Sequence, residues 1–274
     1  MSTFDIEFAA VTDIGKIREK NEDSVLISSD LGLGVVADGM GGHSAGEIAS
    51  NIAVHVLEET IRKVNTGALK MPDTFLPKLD KVERKLLMAA NLANAAIYTT
   101  AQASAIYKMM GTTLTGVTFD GDNAVAVHVG DSRIYLYREK KLVQVTTDHS
   151  LAMEHVRRGL LTKAEADKSK IQNVLTRAMG IKKNVEFDLL KFPVKVGDIM
   201  VLCSDGLYKG LTEAQMQELL EKGQNMPLVK LCKQLVRVSN DHDGQDNIST
   251  VMIKILPAQP LTFRQKIKRF FTKS

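Results

Sequence analysis

Apolar and polar positions divide the chain into blocks of strand and blocks of helix. Phe4–Val11, Val25–Ile27 and Leu33–Ala37 read as strands, the last two paired around residues 28–32. A helix is expected from Ala45 to Arg62, opened by Ser44 with Glu47 at capping-box spacing. Residues 62–80, with Gly67, Pro72 and Pro77, read as a loop. A second helix, Lys81–Lys108, places Leu86, Ala90, Ala93 and Ile97 on one stripe. Four strands follow: Thr112–Phe119, Asn123–Val129, Arg133–Tyr137 and Leu142–Val145. The run Ala124–Val129 is so apolar that both of its faces should be covered. Residues 148–184 are polar and loop-rich, with a short helix capped by Thr162 and Glu165. Strands Val185–Phe192 and Asp198–Cys203 come next, then a helix Thr212–Lys222, capped by Thr212 and Gln215 and stopped at Gly223. A helix Leu228–Val238 and a strand Ile248–Ile255 close the pattern. Blocks rather than strict alternation argue for an α+β sandwich with an antiparallel core.

Composition adds limits. At 274 residues, 44% hydrophobic and 25% charged, the chain suits a globular protein of one large or two small domains. The formal charge of +4 misleads. Five of the 36 basic residues (Arg264, Lys266, Lys268, Arg269, Lys273) fall in 261–274, where no acid occurs, leaving 31 basic against 32 acidic elsewhere. The body is therefore no generic polyanion binder, and no nucleic-acid partner is expected. Cys203 and Cys232 sit in apolar surroundings and read as reduced core residues. Met1–Ala10 carries Asp5 and Glu7 and lacks the pattern of a signal peptide, and no apolar run reaches membrane-span length. A cytoplasmic protein is expected. No Walker or dinucleotide glycine motif occurs.

The chemistry lies in aspartates at strand ends: Asp38 before Gly39, Asp131 after Gly130, Asp205 before Gly206, and Asp246 before Asn247. Each alone suits an ordinary turn. Together, if they converge, they repel one another unless cations neutralise them. Hard oxygen donors of this kind suit Mg²⁺ or Mn²⁺. Two such ions can activate water and clamp a phosphoryl group. Arg18, with Glu22 and Asp23 close behind, offers a fork for a phosphate dianion.

A series of stretches in fixed order then carries a resemblance. They are Arg18-x-x-Asn21-Glu22-Asp23; Val36-Ala37-Asp38-Gly39-Met40-Gly41-Gly42-His43; Gly111-Thr112-Thr113; Gly130-Asp131-Ser132-Arg133; Asp148-His149-Ser150; Leu175-Thr176-Arg177-Ala178-Met179-Gly180; Ser204-Asp205-Gly206-Leu207; and Asp246-Asn247. The set resembles the metal-dependent serine/threonine protein phosphatases of the 2C family in their bacterial single-domain form. The resemblance implies a four-layer sandwich, two antiparallel β-sheets flanked by antiparallel helix pairs. It implies a catalytic domain over residues 1–256 with a flap at 148–180, while Pro257 and Pro260 set off a separate basic tail at 257–274. It implies hydrolysis of phosphoserine and phosphothreonine in proteins by a hydroxide between two metal ions, opposing a bacterial Ser/Thr kinase. Asp38 would bridge the ions, the Gly39 carbonyl would ligate one, and Asp205 and Asp246 would ligate the first. Glu22 and Asp23 would hold metal-bound waters, and Arg18 would grip the substrate phosphate. Asp131 with Asp205 matches a third, weaker metal site, and Asn247 would orient Asp246 or a water. Two tightly bound ions and a third weaker one, Mn²⁺ or Mg²⁺, are thus the implied cofactors.

His43 is the candidate general acid, although eukaryotic members carry a histidine directly after the Asp-Gly pair, where Met40 stands here. Metal-bound water is the alternative. His128 reads as a packed core residue and His149 as a structural hydrogen-bond partner; His55, His155 and His242 have no special context. Met109, Met110 and Met179 read as packing, Met179 replacing a customary leucine. Arg157, Arg158, Lys163 and Lys168 read either as a solvated face or as contacts for an acidic phosphopeptide. In the tail, Phe263, Ile267, Phe270 and Phe271 fall on one side of a helix with most basic residues opposite. A docked or frayed tail and peripheral contact with an anionic membrane or acidic partner are both open. A monomer is expected. Two other functions compete: an anti-sigma-antagonist phosphatase, whose branch usually lacks Arg-x-x-Asn-Glu-Asp, and a non-catalytic phosphopeptide binder, which would not need so many carboxylates.

Overall fold

The structure, a computed structural model, describes residues 4–41, 45–72 and 78–258. Its first half contains β1 (Phe4–Asp13), β2 (Asp23–Ser28), β3 (Leu33–Met40), α1 (Ala45–Asn65), α2 (Lys81–Ala103), β4 (Gly111–Thr112), β5 (Leu114–Asp120) and β6 (Asn123–Val129). Its second half contains β7 (Arg133–Arg138), β8 (Lys141–Gln144), α3 (Leu151–Arg157), α4 (Lys163–Ala166), β9 (Asp188–Pro193), β10 (Ile199–Cys203), α5 (Asp205–Gly210), α6 (Glu213–Lys222), α7 (Leu228–His242) and β11 (Ile248–Pro257). One sheet has the order β1-β11-β10-β7-β8, the other β2-β3-β5-β6-β9 with β4 paired to β3. Every pairing between strands is antiparallel.

The two sheets pack face to face through Val36, Val117, Ala126, Ile134, Leu202 and Val251, all buried. Helices cover both outer faces. On one, the small residues Ala49, Ala53, Ala89, Ala90 and Ala93 let α1 and α2 lie close on Val35, Val125 and Val127. On the other, Leu207, Met216, Leu231 and Leu235 of α5–α7 pack on Val201, Met252 and Tyr135. The result is the four-layer α+β sandwich. β6 shows why its sequence is continuously apolar: Val125, Val127 and Val129 face the helices while Ala124 and Ala126 face the other sheet. Fully burying each such valine or leucine contributes about 1.5–3 kcal/mol. Cys203 and Cys232 are free and buried, as expected.

The capping boxes of α4 and α6 form as read, with Thr162 and Thr212 accepting from Glu165 N and Gln215 N. Elsewhere the boundaries move. α2 ends at Ala103, because Ser104 turns extended and caps a 3₁₀ turn over Ala105–Tyr107. α1 continues to Asn65, with Arg62 tied to Asp30 and Glu58 rather than lying in a loop. Asp80 is the N-cap of α2, in a capping box with Glu83. The expected Thr112–Phe119 strand is split at Thr113 into β4 and β5. β9 starts at Asp188, not Val185. The helix α5 is unexpected. Met109 is not packed: it is 70% exposed, whereas Met110 and Met179 are buried. Ser44, Gly42, His43 and residues 259–274 lie outside the described residues, so the Ser44 cap, the His43 role and the tail helix are not described by the structure.

Candidate metal centre

The ends of β2, β3, β10 and β11 and the β6–β7 turn meet at one edge of the sandwich. Register brings the first two aspartates together: Asp23 lies directly opposite Asp38 in the β2–β3 ladder. Directly opposite side chains share a face with Cβ atoms about 5 Å apart, and like charges there are destabilising. Asp38 is fixed through its backbone: its N–H donates to Thr113 Oγ1 (2.9 Å), and its carbonyl accepts from Thr113 N (2.9 Å) and Thr112 Oγ1 (2.9 Å). Asp23 accepts from Ser204 Oγ (2.7 Å), the residue just before Asp205. The Gly130-Asp131 turn is held by Thr113 Oγ1 against Ser132 Oγ (2.7 Å).

These groups line a cavity of about 1180 Å³ that contains Arg18, Glu22, Asp38, Gly39, Asp131, Asp205, Asp246 and Asn247. Asp23 lies behind, buried between Asp38 and Ser204. Glu22 N–H donates to Asn247 Oδ1 (2.8 Å), and the Gly46 N–H of the first turn of α1 points at the Glu22 carboxylate. A helix N-terminus favours an anion there. Asn247 Nδ2 donates to the Ile14 and Lys20 carbonyls (both 2.9 Å), while its backbone N–H donates to Asp246 Oδ1 (3.0 Å). Its side chain thus fixes the β1–β2 loop and its backbone orients Asp246. Gly39 has no room for a side chain: a Cβ would stand 2.2 Å from Gly46 O and 2.4 Å from Glu22 O. Only glycine permits α1 and the Glu22 backbone to close on β3 here.

The electrostatics are those of an acidic cluster short of positive charge. Burial pushes the Asp23 carboxyl up to about 7, with Asp205 and Asp246 adding repulsion. Burial and the neighbouring Asp205 and Asp148 push Asp131 up to about 8. Asp38, open to the cavity but otherwise enclosed by protein, is raised well above the usual range by burial and by four neighbouring aspartates. Burial also raises Asp205 and Glu22. Two cations answer part of this. Arg18 grips Asp246 through Nε (2.9 Å) and a terminal nitrogen (3.0 Å). Lys209 Nζ donates to Asp205 Oδ2. Asp205 Oδ1 is left buried with no hydrogen-bond partner among the described residues.

Among the described residues, no three His, Cys, Asp or Glu side chains stand ready-made as a ligand shell. The donors nevertheless fit a hard divalent cation. They are all carboxylate oxygens, four carry pKa values raised by burial and mutual repulsion, and one buried oxygen is orphaned. Lys209 and Ser204 entered no role on sequence grounds. An aspartate and a lysine at i, i+4 are the signal for the first, but it is legible only once 205–210 is known to be helical.

The 148–180 segment also reaches the cavity, through Asn173, Leu175, Thr176, Arg177 and Ala178. Arg177 is engaged by Asp188 (3.1 Å), which also meets His149 Nε2 (3.2 Å). Of the flap-region basic residues, Arg157 and Arg158 lie near Glu154 (3.9 and 3.7 Å), and Lys163 meets Glu213 (3.4 Å). His128 is buried between Thr115 Oγ1 (3.0 Å) and the Thr147 carbonyl (3.2 Å), a structural role as expected.

A two-sheet α+β sandwich with a carboxylate-lined cleft at the strand ends defines the class of this protein. The family model described as Protein phosphatase 2C matches residues 18–252, and the chain belongs to that family. It is 34% identical over 246 residues to the Serine/threonine phosphatase stp of Listeria innocua, covering 89% of this chain and 93% of the relative. It is 31% identical over 253 residues to Protein phosphatase PhpP of Streptococcus pneumoniae, covering 91% and 98%. Among solved structures, the serine/threonine phosphatase PstP/Ppp of Mycobacterium tuberculosis superposes with a TM-score of 0.79 at 31% identity, covering 92% of this chain and 99% of that one. A PstP catalytic domain in complex with two manganese ions gives 0.77 at 30% identity, covering 93% and 100%. Among the described residues, no helix is long and apolar enough to cross a membrane.

Proposed function

We propose that this chain, a protein-serine/threonine phosphatase, hydrolyses phosphoserine and phosphothreonine in proteins with two divalent ions, Mn²⁺ or Mg²⁺, and opposes a bacterial Ser/Thr kinase. The observation that carries this is the convergence of Asp38, Asp131, Asp205 and Asp246 on one cavity, with Asp23 buried behind Asp38 and too little positive charge to neutralise them. When bound, the ions supply an activated water for in-line attack and charge neutralisation at the phosphoryl oxygens.

The chain's own residues do the rest. Asp38, central among the carboxylates, would hold the ions together with the Gly39 carbonyl beside it. Asp205 offers its orphaned Oδ1, and Asp246 joins it. Glu22 and Asp23 act through water, as their places at the helix N-terminus and behind Asp38 suit. Arg18 stands at the mouth, half exposed, and turns its fork from Asp246 to the substrate phosphate. Asn247 holds the Arg18–Glu22 loop in place. The leaving seryl or threonyl oxygen needs a proton, and His43 is its proposed donor. The 148–180 flap contributes to substrate choice. The enzyme works as a cytoplasmic monomer, with peripheral membrane contact through 261–274. Co-sedimentation with anionic liposomes, lost on removing 261–274, checks that last point.

The deciding experiment is phosphate release from a phosphothreonine peptide. Release with Mn²⁺, abolished by EDTA and reduced at least about 100-fold by Asp38→Asn, is the expected result. Release that survives EDTA would overturn the reading.

A further inference from the structure

The family resemblance implies a third, weaker ion held by Asp131 and Asp205. In this chain an ammonium already stands on one of the two carboxylates, Asp205. Lys209 lies one helical turn beyond Asp205 on α5, and its Nζ donates to Asp205 Oδ2. Its charge is drawn to Asp205 first, then to Asp246 and Asp131. The side chain is only 25% exposed, so the ammonium is held among the carboxylates and not in bulk water.

The surroundings keep it in place. Tyr208, the residue before, donates its hydroxyl to the Asp131 carbonyl (3.2 Å), which pins α5 to the Asp131 turn. The Tyr208 ring lies under the Arg133 guanidinium at 3.7 Å. Asp205 divides its two oxygens accordingly: Oδ2 carries Lys209, while the buried Oδ1 has no partner. One oxygen therefore remains for the principal ion pair, and the other is taken. A cation within hydrogen-bond distance of the same carboxylate repels an incoming divalent ion and blocks the lone pair it needs.

We propose that Lys209 is a built-in cation that replaces the third ion, so that this enzyme binds two divalent ions and no third. The inference rests on the two-ion reading above. It predicts that the metal stoichiometry is set by a side chain and can be changed by altering that side chain.

The test counts Mn²⁺ bound to the full chain by isothermal titration calorimetry, with free Mn²⁺ followed by electron paramagnetic resonance. The wild type should saturate at two ions. Lys209→Met, of similar length without the charge, should take up a third, weaker ion, and Lys209→Asp should bind that ion more tightly than Lys209→Met. Lys209→Gln stands in if the methionine variant does not fold, as judged by its circular dichroism melt. Three ions on the wild type would overturn the inference. So would two ions on the wild type and on every folded Lys209 variant. No Mn²⁺ bound by any folded form would overturn the two-ion reading itself, and the inference with it.

Discussion

Two buried charged clusters lie side by side at one edge of the sandwich, and they are resolved in opposite ways. In one, Arg133 donates to Asp148 through Nε (3.0 Å) and a terminal nitrogen (2.7 Å), gives another bond to Tyr135 Oη (3.0 Å), and stacks on Tyr208. Each charge has its partner, and the adjoining cavity is only about 20 Å³. In the other, two residues before Arg133, Asp131 joins Asp38, Asp205 and Asp246 around a cavity of about 1180 Å³. At an effective dielectric near 20, two carboxylates about 4 Å apart repel by about 4 kcal/mol. That is a large share of the 5–15 kcal/mol typical of a whole domain. A fold keeps such a cluster when a cation from outside completes it. The closed pair ties Asp148 to β7; the open cluster is short of positive charge.

The comparison breaks most visibly at Asp38. Its carboxyl is raised by burial and by neighbouring aspartates, so the metal-free folded state holds the proton more tightly than the unfolded chain. Stability from this group is complete below the unfolded value near 4 and is lost as pH rises through the folded value. Asp38→Asn should therefore raise the melting temperature of the metal-free protein at pH 8. It should also remove much of the stabilisation by Mn²⁺, which at 1,000 times Kd is worth about 4 kcal/mol for a single site. Calorimetric melts with EDTA and with Mn²⁺ measure both. A metal-free variant less stable than the wild type at pH 8 would end the contrast.

Arg133→Met tests the closed cluster. It leaves Asp148 buried without its cation, and the expected loss is about 3–5 kcal/mol in urea denaturation. Arg133→Met with Asp148→Leu should recover most of that loss, because the pair's partners go together. A single variant as stable as the wild type would show that the pair does not anchor the start of the 148–180 segment.

A third buried titratable group sharpens the rule with a neutral case. His128 is held uncharged, pushed down to about 3 by burial first and by His149 second. A histidine lowered in the folded state contributes stability above the unfolded value near 6.5 and loses it as pH falls toward 3. The slope is at most about 1.4 kcal/mol per pH unit. His128→Gln, which cannot take up that proton when unfolded, should flatten the acid limb between pH 6 and pH 4. Denaturation midpoints across that range report it; parallel limbs would contradict the assignment.

Much of this was readable from residue order, and the failures have physical causes. The strand-end aspartates, the two threonine-capped helices and the apolar β6 follow from local pattern alone. α5 does not, because Asp-Gly-Leu-Tyr-Lys-Gly carries two helix-weakening glycines. Packing explains them: a Cβ on Gly206 would stand 2.1 Å from Asn247 O, and one on Gly210 2.3 Å from Ser239 Oγ. The glycines let α5 press on β11 and α7, and the helix follows from that contact. Lys209 was missed with it. Met109 was misplaced because a methionine pair looks the same on a core face and on a cavity rim. β9 starts late because Val185 turns to line the cavity. The pairing of Asp23 with Asp38 needed the sheet register, which no single segment encodes.

Unfavourable local structure is not always a mark of function, and the β7–β8 hairpin supplies the control. Arg138 pairs with Lys141, so Glu139 and Lys140 form a two-residue turn, with φ of 50° and 64°. Both angles lie in the left-handed region, where asparagine and glycine are favoured and glutamate and lysine are strained. The turn is exposed and carries the Lys140–Glu221 ion pair (2.9 Å), which in solvent is worth little. Unlike the acidic cluster, this strain has no outside ligand that relieves it. Glu139→Asn with Lys140→Gly should raise the melting temperature by roughly 2 °C. The same double variant should leave the Mn²⁺-dependent gain in melting temperature at its wild-type size. A change in that gain would mean that the hairpin is coupled to the metal centre through β7, and the separation between strain kept for a ligand and strain merely tolerated would fail.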